Sequence, residues 1–277
     1  MVTNESDTFD IGSKTIHRLG YGAMRITGDD IIGAPDDEDD ARKLLRHAVD
    51  IGVDFIDTAD SYGPGVSERL IREAGVTDDA VVATKAGLLR NAESDWKPHG
   101  DPDYIRNQAL VSLDRLGVDS IDLYQYHRPD PDTPFEDSVQ TFAELKDDGL
   151  VDNVGLSNVT VEQLELARDH VEIATVQNEY NVANRDDEDV LNACEEYGIG
   201  FIPWFPLAAG DLGELGDTLS EIASNHDATR QQIAIAWLLA HSEVTLPIPG
   251  TSSIDHLEEN VAAAGLTLTD EEYGRLL

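Results

Sequence analysis

Val81-Val82-Ala83-Thr84-Lys85 is a short apolar run ending in a lysine, and it reads as a strand. Upstream, Phe55-Ile56-Asp57-Thr58-Ala59-Asp60 has the same character and leads to Tyr62; downstream, Ile121-Asp122-Leu123-Tyr124-Gln125-Tyr126 runs into His127. The segments between these runs carry apolar residues at helical spacing. In 38–51, Ala41, Leu44, Leu45, Ala48, Val49 and Ile51 share one face, and the acids Asp36 to Asp40 lie where a helix N-terminus favours them. Asp101 followed by Pro102 opens a helix over 102–116, and Thr160 with Gln163 forms a capping box.

The alternation continues to the end of the chain. Core strands are expected at 19–24, 55–60, 81–86, 121–127, 151–157, 173–178, 199–205 and 244–249, after an N-terminal hairpin of Thr8–Ile11 and 15–18. Helices near 67–74, 135–148, 187–197, 217–225, 229–241 and 253–264 join the other three. Alternating strands and helices mean a parallel sheet, and eight such units suit closure into a (β/α)8 barrel. A doubly wound sheet is the competitor. It usually carries a Gly-rich turn with three glycines after its first strand, and Gly20-Tyr21-Gly22-Ala23-Met24 has only the first two. No linker or shift in composition divides the chain, so 1–277 is expected to be a single barrel domain.

The chain has 277 residues with 19 Lys and Arg against 56 Asp and Glu, a formal charge of −37. Such a surface repels nucleic acid and anionic membranes. The acids are spread along folded, periodic segments, which argues against a disordered acidic tail. Adaptation to molar salt accounts for them better, because a Debye length of about 3 Å at 1 M screens the self-repulsion; a halophile is expected. No apolar run is long enough to span a bilayer, and the acidic N-terminus has no signal-peptide pattern, so a cytoplasmic location is expected. The single cysteine, Cys194, lies on an apolar helical stripe and reads as core.

In a barrel of this kind, chemistry sits at the carboxyl ends of the strands. Asp57, Tyr62, Lys85 and His127 meet there. A free phenol has a pKa near 10, so Tyr62 needs a cation to stabilise its phenolate; Lys85 supplies it and Asp57 keeps Lys85 charged. His127 can donate to the same substrate oxygen. Together they can protonate a carbonyl oxygen. For any one of the four, a structural ion pair or an ordinary rim position is an equal reading; four at consecutive strand ends favour catalysis. No side chain supplies a hydride, so a nicotinamide cofactor is implied. Ser157 with Asn158, and Gln177, end later strands with groups suited to a carboxamide. Trp204 offers a stacking face, although a tryptophan there is as often core. Gly250-Thr251-Ser252-Ser253 enters a helix whose N-terminus suits a phosphate, with capping by Ser253 compatible with that role. Only His127 among the eight histidines ends a strand, so no metal site is expected.

The chain resembles the aldo-keto reductase family over nearly its full length. The likeness is carried by 19–24, Asp57-Thr58-Ala59-Asp60-Ser61-Tyr62-Gly63, Thr84-Lys85, Asp122 to His127 and Gly155-Leu156-Ser157-Asn158. Gln177 to Asn181, Phe205-Pro206-Leu207 and Ile248 to Ser253 with Glu259-Asn260 complete it. The resemblance implies NAD(P)H-dependent reduction of aldehydes or ketones, with Asp57, Tyr62, Lys85 and His127 as the catalytic tetrad. It implies cofactor contacts from Gly22, Ala23, Met24, Ser157, Asn158, Gln177, Trp204, Phe205, Pro206, Leu207, Gly250, Thr251, Ser252, His256, Glu259 and Asn260. Phe205-Pro206-Leu207 and the 249–253 turn are most similar to the branch containing pyridoxal reductases.

Two departures from the family pattern bear on function. Members preferring NADPH often carry a lysine and an arginine beside the 2′-phosphate; here Gly250 and His256 stand at those positions, so NADPH is the expected cofactor with NADH possible. The long C-terminal substrate loop of many relatives is absent from this sequence, which leaves selection to 87–101, with Leu88, Leu89 and Trp96, and to 128–134, and favours an open, tolerant pocket. A small-molecule carbonyl is the expected partner, and the oligomeric state is open. A Schiff-base aldolase using Lys85 and a nicotinamide-binding redox sensor with slow turnover are the rival functions.

Overall fold

A computed structural model describes residues 2–91, 93–206 and 215–277. Its centre is a seven-stranded parallel sheet in the order β11-β10-β9-β8-β5-β4-β3. The strands are β3 (Tyr21–Gly22), β4 (Phe55–Asp57), β5 (Val81–Ala86), β8 (Ile121–Tyr126), β9 (Val151–Ser157), β10 (Ile173–Glu179) and β11 (Gly200–Trp204). Helices α1 (Glu38–Asp50), α2 (Val66–Ala74), α3 (Pro102–Leu116), α4 (Phe135–Asp147), α5 (Val161–Arg168), α6 (Glu188–Tyr197), α7 (Gly216–Asn225), α8 (Arg230–His241) and α9 (Ile254–Ala262) follow the strands, and α10 (Asp270–Gly274) comes last. Asp37 caps α1, Asp101 caps α3, and Thr160 and Gln163 form both bonds of their capping box. None of the helices among the described residues is long and apolar enough to cross a membrane.

Alternation along each strand separates two apolar layers. Phe55, Val81, Ala83, Leu123 and Ile202 point into the barrel and pack with Leu246 and Ile248. Ile56, Val82, Tyr124 and Tyr126 point outward to the helices. The N-terminal hairpin, β1 (Thr8–Ile11) with β2 (Lys14–His17), inserts Ile11 and Ile16 into the inner cluster. One mouth of the barrel is thereby plugged with hydrocarbon, and the carboxyl ends of the strands are left open for chemistry.

The eighth unit closes the ring differently from the expected strand. Pro247 and Pro249 have no N–H to donate, so 244–249 cannot form a regular ladder. It accepts instead, from Gly20 N at Pro247 O (2.9 Å) and from Gly22 N at Pro249 O (3.5 Å), and exchanges Phe201 N to Val244 O and Leu246 N to Phe201 O with β11. Buried Arg18 adds side-chain donors to Leu239 O, Ser242 O and Thr245 O, which hold the approach to this seam. The same contact demands glycine: a Cβ on Gly22 would stand 2.7 Å from Ile248 O.

Two other expectations change. The strand at 55–60 ends at Asp57, after which Thr58 N donates to Ala83 O and Asp60 N to Lys85 O as the chain turns over the barrel rim. The strand expected at 19–24 is Tyr21–Gly22, with a 3-10 turn over Ala23–Ile26. A second hairpin, β6 (Leu88–Arg90) with β7 (Trp96–Pro98), occupies the loop after β5.

Candidate active site

Asp57 at the end of β4 and Lys85 near the end of β5 face inward from adjacent strands. Their Nζ to Oδ1 distance is 2.5 Å, with Lys85 fully buried. Lys85 also donates to Thr58 O at 2.8 Å. The other carboxylate oxygen of Asp57 accepts from the amides of Gln125 and Gln177, each at 2.9 Å. Asp57 is thus a buried anion with three donors, which is what a charge inside a barrel requires. Gln125 was not singled out from the sequence. The signal was present: Leu123, Gln125 and His127 alternate on the inward face of β8, and an amide there needs a partner.

Tyr62 follows the turn after β4, with Lys85 Nζ 5.2 Å from its ring centroid. Its ring meets His127 edge-to-face at 5.9 Å and Trp96 at 6.3 Å. Burial would lower the Lys85 pKa, but Asp57 and then Tyr62 outweigh it and the net direction is up, so the ammonium is held charged. Tyr62 is subject to two opposed influences. Burial raises its pKa, Lys85 opposes that rise, and burial wins. The phenol therefore keeps its proton at neutral pH. The ammonium's effect is to lower the cost of phenolate as that proton departs.

His127 is held well below the ordinary histidine value by burial, then by Lys85 and Arg128. It is neutral at pH 7. Its Nδ1 lies 3.5 Å from Ser61 Oγ, and its Nε2 has no partner among the described residues. The peptide on either side is fixed, with His127 N donating to Ala86 O at 2.8 Å and Asn158 Nδ2 donating to His127 O at 3.0 Å.

Asp57, Tyr62 and His127 line a cleft of about 700 Å³, and Lys85 is buried outside its lining. Gly22, Met24, Ser157, Asn158, Gln177, Trp204, Phe205, Pro206, Gly250, Thr251, His256, Glu259 and Asn260 continue its walls. Ala23 stands apart, fully buried in the helix layer, and Ser252 is an exposed rim residue outside the lining. Leu207 lies outside the described residues. Arg25 and Arg128 also line the cleft and were not singled out from the sequence.

The donors and acceptors along this wall fit a nicotinamide nucleotide. Gln177 donates through its amide nitrogen to Asp57 and Gln125, and its Oε1 accepts nothing among the described residues. Asn260 is 6 % exposed, and its side chain has no hydrogen bond among the described residues. Asn158 is more occupied than expected: it donates to Ser157 Oγ and His127 O, and its Oδ1 accepts from Trp204 Nε1 at 3.2 Å. Asn158 and Phe205 both sit at positive φ, 58° and 62°. Such strain at strand ends persists where surrounding contacts over-determine it, commonly around a binding site. Ser253 caps α9 through His256 N at 3.5 Å, and Thr251 Oγ1 takes the Ser253 N–H.

The family model for the Aldo/keto reductase family matches residues 18–276. An uncharacterized oxidoreductase of Schizosaccharomyces pombe is 45 % identical over 274 residues, covering 99 % of this chain and 90 % of that protein. Pyridoxine 4-dehydrogenase of Escherichia coli is 42 % identical over 280 residues, covering 98 % of this chain and 97 % of its own. The structure of an aldo-keto reductase from Klebsiella pneumoniae in complex with NADPH superposes with a TM-score of 0.84 at 27 % identity, covering 98 % and 94 % of the two chains. The chain belongs to the aldo/keto reductase family, and its reaction is the nicotinamide-dependent reduction of a carbonyl.

Proposed function

We propose that Tyr62 protonates the oxygen of an aldehyde or ketone held at the inner end of the cleft, with NADPH as reductant. The observation that carries this reading is the Asp57–Lys85 pair at 2.5 Å beneath a buried, protonated Tyr62 that faces a neutral His127. A bound reduced nicotinamide supplies the hydride that adds to the carbonyl carbon. The chain's own residues do the rest. His127 directs a ring N–H at the carbonyl oxygen, the Tyr62 O–H bond breaks toward that oxygen, and Lys85 stabilises the phenolate left behind. Asp57, with Gln125 and Gln177, keeps the ammonium in place.

Ser157 and Gln177 offer a hydroxyl and a free amide oxygen to the carboxamide. Asn158 positions them together with His127 and Trp204, whose indole is the stacking face. Thr251, His256 and the rim hydroxyl of Ser252 suit the 2′-phosphate, Arg25 the pyrophosphate, and Glu259 and Asn260 the adenine. With His256 in place of a permanent cation, NADH remains a usable alternative. We also propose that a single domain carries the activity, that it works in the cytoplasm at molar salt, and that a charge of −37 keeps it off nucleic acids.

Consumption of NADPH and of NADH at matched concentration, measured in molar KCl over a panel of aldehydes that includes pyridoxal, tests the reading. Aldehyde-dependent oxidation is expected, faster with NADPH; none with any aldehyde would overturn it. The salt proposal has its own test. Thermal unfolding is expected at a markedly lower temperature in dilute buffer than in molar KCl, because screening of 56 acids against 19 bases is withdrawn. An unchanged midpoint would remove the halophilic reading and leave the enzymology untouched.

A further inference from the structure

Acids outnumber bases almost three to one in this chain, so an arginine without a carboxylate is a departure from what composition alone would place there. Arg18, Arg42, Arg69, Arg106, Arg115 and Arg275 pair with carboxylates. Five more bind backbone oxygens or lie over aromatic rings. Of the fourteen, only Arg25, Arg128 and Arg230 have neither among the described residues, and two of those three line the cleft. Arg25 lies beside Gly250, at the end read as nucleotide-binding. Arg128 stands at the other end, next to His127.

Arg128 is also pre-positioned. The preceding carbonyl, His127 O, is held by Asn158, and the following residue, Pro129, restricts Arg128 to extended backbone. The nearest acid in sequence, Asp130, is spent elsewhere: its carboxylate accepts from Gly100 N, Asp132 N and Thr133 Oγ1 at 2.8 to 3.0 Å. The walls around this end are apolar, from Leu88, Trp96 and Phe205. A guanidinium that lines an apolar pocket on a constrained backbone, with no acid of its own, fits a planar anion.

We propose that Arg128 is a specificity-determining residue that selects carbonyl substrates carrying a carboxylate or phosphate on an apolar or aromatic body. The inference rests on the carbonyl-reductase reading and deepens it. The short-range, bidentate contact persists in molar salt, where long-range repulsion of an anionic substrate by the acidic surface is screened away.

The test compares kcat and KM, in molar KCl with NADPH, for para-carboxybenzaldehyde against its neutral methyl ester and for pyridoxal phosphate against pyridoxal. The two pairs separate carboxylate from phosphate recognition. The wild-type protein is expected to favour the anionic member of at least one pair. Arg128→Gln should raise KM for that member by about 10- to 100-fold, the worth of a charge-assisted hydrogen bond, and so erase the wild-type preference within that pair. Absence of a preference, its survival in R128Q, or an equal loss on neutral substrates would overturn the proposal. Failure of the wild-type protein on all four would instead overturn the reductase reading on which it stands.

Discussion

Replacing Tyr62 by Phe is expected to lower kcat by about 10²- to 10⁴-fold, the contribution of a positioned general acid, while NADPH affinity changes little. Tyr62 lines the cleft, and the ring's packing against Trp96 and His127 is kept in phenylalanine. Stopped-flow turnover and fluorescence titration of cofactor separate the two effects; loss of binding would make Tyr62 a structural residue. The pH profile of the wild-type enzyme adds a second check. Tyr62 is raised above its ordinary value and His127 is held well below its own. The donor is therefore protonated and the imidazole neutral across the range between them, and kcat/KM should be flat through pH 6.5. A break at that pH would show His127 titrating as an exposed histidine does.

Asp57→Asn is expected to cost about 3–5 kcal/mol of stability, because it leaves a fully buried ammonium without its anion. It should also lower kcat by more than about tenfold, since Lys85 then loses the larger of the two influences that oppose its burial and tends to lose the proton that stabilises the phenolate. The sign of the pH dependence distinguishes this from simple loss of packing. In the wild type the folded-state pKa of Lys85 is raised above 10.5, so its contribution is fully present below 10.5 and is lost as pH rises through the folded value. In the variant the folded pKa falls below 10.5, so the penalty is greatest at low pH and fades as pH approaches 10.5. Urea titrations at neutral and alkaline pH should show the variant gaining on the wild type as pH rises; parallel curves would sink the account.

Much of this was legible in the sequence because the periodicities were undisturbed. The helices at 38–51 and 102–116 announce themselves by apolar spacing and by Asp37, Asp101 and Pro102 at their starts, and Asp57, Lys85 and His127 are visible as polar residues closing apolar runs. What escaped was of two kinds. Pro247 and Pro249 sit in a run whose apolar character mimics a strand, and only their missing N–H groups reveal that the ladder toward β3 is one of acceptors. The hairpin at Leu88–Arg90 and Trp96–Pro98 was hidden because it is held by backbone pairing and by Arg90 stacked on Trp96 at 3.6 Å, pairings between residues that no periodicity connects. The commitments of Gln125 and Asn158 are likewise three-dimensional: each amide is defined by partners from other strands.

The proline-bearing junction between the first and last units gives the architecture an asymmetry. From β5 through β8 to β9 a dense ladder binds neighbour to neighbour; at the junction the ring is fastened by few backbone bonds and by one buried guanidinium. Gly22 and Met24 lie on one side of that gap, Gly250 and Thr251 on the other, and all four border the same cleft. A dinucleotide held across them, as proposed above, would act as a clasp, and by mass action its binding free energy would become cohesion of the whole cylinder.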